Sequence, residues 1–124
     1  MWHTFEPVSI FSKAMNQRLF VYGTLGPGRP NAHVLEDLGG QWHNASVRGR
    51  LREAGWGAEM GYPGIDLDPE GDEVQGFIFE SGNLADHWDM LDEFEGEGYR
   101  RVTVTAYLED GTRVDAQIYQ LKSE

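Results

Sequence analysis

The longest uninterrupted apolar run in the chain is four residues, Leu19-Phe20-Val21-Tyr22, and it stops at Gly23. Such a run falls far short of the ~20 residues needed to span a bilayer. It reads as a short strand buried on both faces. The same theme recurs along the chain. Val74 to Glu80 is rich in β-branched and aromatic residues, and Arg101 to Leu108 and Arg113 to Leu121 flank Glu109-Asp110-Gly111-Thr112, where Asp-Gly signals a hairpin turn. Residues 41–54 place Trp42, Val47 and Leu51 in a polar setting, predicting a strand that Gly49 bends or bulges. Gly55 to Gly64 and the acidic stretch Asp66 to Glu73 read as loops.

Only two stretches have helical character. Asn31 is placed to cap a short helix whose Val34, Leu35 and Leu38 face inward before Gly39-Gly40. Asn83 to Gly96 is the second, longer one. About five or six strands and two helices predict the α+β class: a small mixed or antiparallel β-barrel with flanking helices, since closure removes the edges of many short strands. At 124 residues and 14.0 kDa the chain suits one domain. Residues 1–17 scatter their apolar side chains without a period and read as an N-terminal arm, leaving 18–124 as the folded domain.

Charge narrows the function classes. Residues 1–60 carry 6 basic and 5 acidic side chains and residues 61–124 carry 4 and 16, for a net charge of -11. With no compensating basic stripe, nucleic acid and anionic membrane surfaces are poor partners. There is no cysteine, hence no disulfide, thiolate metal site or cysteine nucleophile. Met1 to Gln17 lacks the basic start and apolar stretch of a signal peptide, so a cytoplasmic protein is expected. Oligomeric state is not legible. His3, His33, His43 and His87 have no ligand spacing, so no metal is expected. Gly23-x-x-Gly26-x-Gly28 lacks both the Lys-Ser/Thr ending of a P-loop and the dinucleotide fingerprint.

The second helix holds the least ordinary residue. Asn83 is a fitting N-cap for it, Gly96 suits its C-terminal stop, and Asp86 lies in the favoured first turn. With Leu84 set to 0° at about 100° per residue, Trp88 falls at about 40°, Leu91 at about 340° and Phe94 at about 280°. Asp86, Asp89 and Glu93 fall at roughly 140–200°, toward solvent. Glu95 falls at about 20°, within the apolar stripe. A carboxylate there is either hydrogen-bonded, raised in pKa and suited to acid–base work, or else turned out to solvent by the fraying last turn. Geometry alone leaves both readings open.

Two segments taken together resemble the signature pair of the gamma-glutamylcyclotransferase-like superfamily: Val21-Tyr22-Gly23-Thr24-Leu25, and Leu91-Asp92-Glu93-Phe94-Glu95-Gly96 followed by Tyr99-Arg100-Arg101. Gly49-Arg50-Leu51, Tyr62-Pro63-Gly64 and Val74-Gln75-Gly76 lie between them in the family's order. Gly28-Arg29-Pro30-Asn31 is most similar to the small gamma-glutamylamine cyclotransferase branch. The arm before Met15, Arg52 where an aromatic is usual, and the long Gly55-Trp56-Gly57-Ala58 link depart from the pattern.

The resemblance implies a cofactor-free cyclotransferase, lyase-like in its chemistry. The α-amine of a γ-glutamyl group attacks its own γ-carbonyl, closing 5-oxoproline and releasing an amine. Glu95 matches the family's essential acid/base. Tyr22, Gly23, Thr24, Leu25 and Tyr99 match the substrate-binding wall. The Gly23–Gly26 backbone would hold either the α-carboxylate or the γ-carbonyl oxyanion. Tyr22 is read equally as a core strand residue. The same pocket without turnover, as a small-molecule binding module, and a biosynthetic enzyme that transfers or removes a γ-glutamyl group, are the competing expectations.

Overall fold

The computed structural model describes residues 17–23, 25–53 and 63–122. Its strands are β1 (Arg18–Val21), β2 (Gln41–Arg52), β3 (Gly64–Leu67), β4 (Asp72–Glu80), β5 (Tyr99–Leu108) and β6 (Arg113–Leu121). The helices are α1 (His33–Glu36) and α2 (Trp88–Glu95), with a 3-10 turn over Gly82–Asp86 ahead of α2. The strand order is β3-β2-β4-β1-β6-β5, and β2 also pairs with β5 through Ala45 opposite Leu108 and Ser46 opposite Tyr107. That last pairing closes β2, β4, β1, β6 and β5 into a barrel and leaves β3 as an extra strand on the end of β2. β1 and β6 run parallel and the other pairs antiparallel, so the barrel is mixed, as the α+β reading expects.

Side-chain alternation divides the apolar residues into two cores. Phe20, Ala45, Val47, Ile78, Ala106, Ala116 and Ile118 fill the barrel, joined by Ile65 from β3. Leu19, Val21, Phe79 and Tyr119 point outward and meet Leu35, Leu84, Trp88 and Leu91 from the helical segments. The unbroken apolar run of β1 has its cause here: successive residues of a strand face opposite sides, and both sides are covered.

Four local expectations are corrected. Asn83 does not cap the second helix; the Ser81 hydroxyl accepts from the Asn83 N–H at 3.1 Å and caps the 3-10 turn, which precedes an α-helix starting only at Trp88. Ser81 also donates to Gly39 O at 2.6 Å, a tertiary bond that draws the cap two residues upstream. Ala32, not Asn31, occupies the N-cap position of α1. The loops predicted at 55–64 and 66–73 give way to β3 at Gly64 and to β4 from Asp72. β3 has little β-propensity of its own and is held by β2, by the Tyr22 hydroxyl on the Ile65 N–H and by Gln120 Oε1 on the Leu67 N–H.

Gly49 produces no bulge, for the β2–β4 register is continuous from Gln41 opposite Glu80 to Gly49 opposite Asp72. A Cβ at Gly49 would lie 2.7 Å from Asp66 O, so close approach of β3 requires the glycine. The hairpin turn is as expected, with Gly111 at φ 89° and Asp110 Oδ1 accepting from the Thr112 N–H. The arm up to residue 16 and the Gly55-Trp56-Gly57-Ala58 link lie outside the described residues.

Candidate active site

Helix α2 delivers Glu95 to the site. Trp88, Leu91 and Glu95 are three, four and seven positions apart along one face, and all three are buried. Gly96 at φ 84° ends the helix and donates its N–H to Asp92 O at 3.0 Å, which holds the last turn together. Glu95 is therefore in regular helix and only 9% exposed. Asp89, Met90 and Glu93, on the other face, are exposed. Desolvation by burial raises the Glu95 carboxyl from 4.5 to about 7.

β1 delivers Tyr22 from the barrel side. Its hydroxyl donates to Tyr119 O at 2.6 Å and accepts from the Ile65 N–H at 3.1 Å. The single phenolic proton is thus committed to the protein backbone, and Tyr22 has none left to donate to a ligand. Burial pushes this phenol well above its usual range, with smaller upward contributions from the Glu95 and Tyr99 charges. Tyr22, Glu95 and Tyr99 are accordingly electrostatic neighbours. Tyr99 opens β5 and packs half-buried on the helix-side core.

The glycine loop leaves β1 next to this cluster. A Cβ at Gly23 would meet nothing within 4 Å, whereas the Gly26 N–H is already bound to Gly23 O at 3.2 Å and closes the turn. Leu25 is 5% exposed with its side chain in the core, so any contact it makes with a ligand is through its backbone. Thr24 lies outside the described residues. A cleft of about 30 Å³ runs beside the loop, lined by Val21, Tyr22, Gly23, Gly26, Arg29, Gln75, Gly76 and Phe77. A wider, open hollow of about 470 Å³, between Trp42, Asn44 and the Glu109–Asp110 turn, touches none of the sequence-predicted site residues.

The geometry links Asp92, Arg101, Tyr119 and Gln117 in one network, to which no site role was given from the sequence. Asp92 accepts from Arg101 Nε at 2.8 Å, from Arg101 Nη2 at 3.3 Å and from the Tyr119 hydroxyl at 2.6 Å. Arg101 Nη1 continues to Gln117 Oε1 at 3.2 Å, and the guanidinium lies 4.6 Å from the centroid of the Trp88 ring. Arg101 holds the Asp92 carboxyl below the usual carboxylate range, the Tyr119 hydroxyl adding to this. Among the described residues no three His, Asp or Glu side chains converge as a metal-binding set, and no helix is long and apolar enough to cross a membrane.

A family model described as gamma-glutamyl cyclotransferase, AIG2-like, matches residues 19–124, which takes in the barrel, the glycine loop and α2. The chain belongs to that family. Comparison with curated proteins finds no match. Solved structures carry the likeness further. YkqA from Bacillus subtilis is 30% identical with a TM-score of 0.66 over 86% of this chain, which spans only 36% of YkqA. An AIG2-like protein from Mus musculus is 28% identical with a TM-score of 0.68, covering 87% of this chain and 78% of that one. A structure titled gamma-glutamyl cyclotransferase shares the fold at 18% identity and a TM-score of 0.61, over 86% of this chain and 67% of its own. The family is in general one of cyclotransferases, built on this barrel.

Proposed function

We propose that the protein is a γ-glutamyl cyclotransferase that converts a γ-glutamyl amine or a related γ-glutamyl compound to 5-oxoproline and the free amine, with Glu95 as general acid/base. The observation that carries the reading is the Glu95 carboxyl, buried at the end of α2, raised to about 7 by that burial and an electrostatic neighbour of Tyr22, the residue before the glycine loop. A base of ordinary carboxylate pKa would hold a proton too weakly to return it to a leaving amine. One near 7 can do both at neutral pH.

The step balances without a cofactor. Glu95 takes a proton from the substrate ammonium, and the freed amine attacks the γ-carbonyl carbon to form the ring C–N bond. The tetrahedral intermediate sheds the extra proton of its ring nitrogen to solvent and collapses, breaking the bond to the leaving amine as Glu95 returns its own proton to the leaving nitrogen. Holding the chain folded for this attack is a proximity effect worth roughly 7–11 kcal/mol. The glycine loop after Tyr22 would meet a substrate oxygen, and Tyr22 and Tyr99 would wall the site. Tyr22 does so as a strut, since its proton is engaged elsewhere.

The test is 5-oxoproline release from a panel of γ-glutamyl compounds by the wild type and by Glu95→Gln, with circular dichroism as the folding control. The variant is expected to fold and to lose roughly 10²–10⁴-fold in rate. Full activity in that variant would remove Glu95 as the base. Tight binding of the panel by the wild type without turnover would instead favour a binding module on the same fold. Release of free glutamate would favour γ-glutamyl removal.

A further inference from the structure

On the outer face of the barrel, β2 and β4 set Asn44 opposite Phe77, and Trp42 lies two residues along the same face of β2. The Trp42 and Phe77 rings meet edge to face with centroids 6.2 Å apart, and Trp42 also packs on Phe79 at 4.7 Å. The pairing of Ala45 with Leu108 brings the β5–β6 turn alongside, carrying Glu109 and Asp110. Together with His43 these side chains line the open hollow of about 470 Å³, a size that suits a small molecule. The two carboxylates at its lip are held in place. Glu109 Oε2 accepts from Asn44 Nδ2 at 3.2 Å, and Asp110 Oδ1 accepts from the Thr112 N–H at 2.9 Å. The Thr112 side chain and N–H hold the Asp110 carboxyl below the usual carboxylate range. His43, the one basic residue of the lining, turns its Nε2 to Glu80 at 3.2 Å.

We propose that this hollow binds a small organic cation, an ammonium group on an apolar or aromatic body: the Glu109–Asp110 lip takes the charge, and the Trp42 and Phe77 rings take the body. The chemistry of the lining selects that class. An anion would face two fixed carboxylates at the lip. A metal ion needs several oxygen or nitrogen ligands, and among the described residues no three Asp, Glu or His side chains converge to supply them. A neutral apolar molecule would gain from the rings and nothing from the lip. An organic ammonium gains from both, because its charge is drawn to a carboxylate and to the face of an aromatic ring alike. The net charge of -11 adds a long-range attraction for cations. Phe77 also lines the cleft beside the glycine loop, so an occupant of the hollow lies one side chain away from the candidate active site. Binding in the hollow is independent of the cyclotransferase chemistry, in which no residue of this lining takes part.

The experiment is an NMR titration of the full chain with benzylammonium, followed at the Trp42 indole N–H, whose signal is assigned by its loss in Trp42→Phe. Benzyl alcohol, of nearly the same shape but uncharged, is the control. Benzylammonium is expected to shift the Trp42 signal saturably and to bind about five- to tenfold more tightly than the alcohol. Glu109→Gln/Asp110→Asn removes both charges while keeping acceptors for Asn44 and Thr112, and should bring the benzylammonium affinity down to near that of the alcohol. Glu70→Gln/Glu73→Gln removes as much charge at the start of β4, where Glu73 pairs with Arg48, four residues along the ladder from Asn44 and Phe77. That variant should stay within about twofold of the wild type, the separation leaving its charges largely screened. Glu95→Gln should bind benzylammonium as the wild type does. Equal affinity for the two probes, no shift of the Trp42 signal, or undiminished binding in Glu109→Gln/Asp110→Asn would overturn the proposal. So would equal weakening by both double variants, and so would loss of binding in Glu95→Gln, which would place the cation at the acid/base site. Absence of 5-oxoproline release would count against the cyclotransferase reading alone, since every arm of the titration reads binding.

Discussion

Replacing Glu95 by Gln should stabilise the protein at pH 8 relative to pH 5, the reverse of what removing a surface charge would do. The carboxyl is raised from 4.5 to about 7 in the folded chain. Between those values the native state holds a proton that the unfolded state has released, so stability falls as pH rises through this window and the loss is complete above the folded value. A shift of this size is worth about 3 kcal/mol in full, of which about 2.5 kcal/mol separates pH 5 from pH 8. Gln has nearly the same shape and does not titrate. Any change it makes in packing or hydrogen bonding contributes equally at both pH values, so the difference of differences isolates the ionisation. The assay is urea unfolding of both proteins at pH 5 and pH 8, followed by circular dichroism and tryptophan fluorescence. The gap between variant and wild type should widen by about 2.5 kcal/mol at the higher pH, or roughly 10 °C in a thermal melt. A gap that does not change with pH would refute the claim that Glu95 is buried in its ionisable form, and with it the physical basis of the proposed chemistry.

Three further outcomes follow from the same structure. The kcat/KM for a γ-glutamyl substrate should climb with pH through about 7 as Glu95 ionises, a limb read from initial rates of 5-oxoproline release; a flat profile from pH 5 to 8 would speak against this base. Tyr22→Phe strips the hydroxyl from between Tyr119 O and the Ile65 N–H, and should destabilise by about 1–3 kcal/mol in urea while the Ile65 amide loses protection in hydrogen exchange. Gly76→Ala would drive a Cβ into Val21 O and the Phe20 ring inside the barrel, and should cost about 1–3 kcal/mol or prevent folding, scored by soluble yield and thermal melting.

Some of this architecture is legible in the residues themselves and some is not. The strands around Phe20, Ile78 and Ile118 announce themselves by local composition, and the Asp110-Gly111 turn by local stereochemistry. β3 is invisible because it contributes only Gly64, Ile65, Asp66 and Leu67, and its ladder partner, Gly49 to Arg52, follows β2's pairing with β4. The Ser81 cap was masked by Asn83, an equally good capping residue by type, since the choice between them depends on Gly39 O arriving from a distant loop. Asp92 sits at about 80° on the same helical wheel, at the border of the apolar stripe, which is the one trace it leaves in sequence. Its partners are 9 and 27 residues away and lie on separate strands.

What the sequence determined by itself is most of the strands and helices, the absence of cysteine chemistry, the acidic charge balance and the place of Glu95 on the apolar stripe of its helix, because each is fixed by residue type or by neighbours within a turn or a strand. What only the tertiary structure decided is the environment of that carboxyl. Burial raises its proton affinity, the Tyr22 hydroxyl is spent on Tyr119 and Ile65, and the Asp92 charge is matched by Arg101. Desolvation and hydrogen-bond partnership are properties of what surrounds a group. They come into being only when β1, β5, β6 and α2, distant in the chain, close on one another.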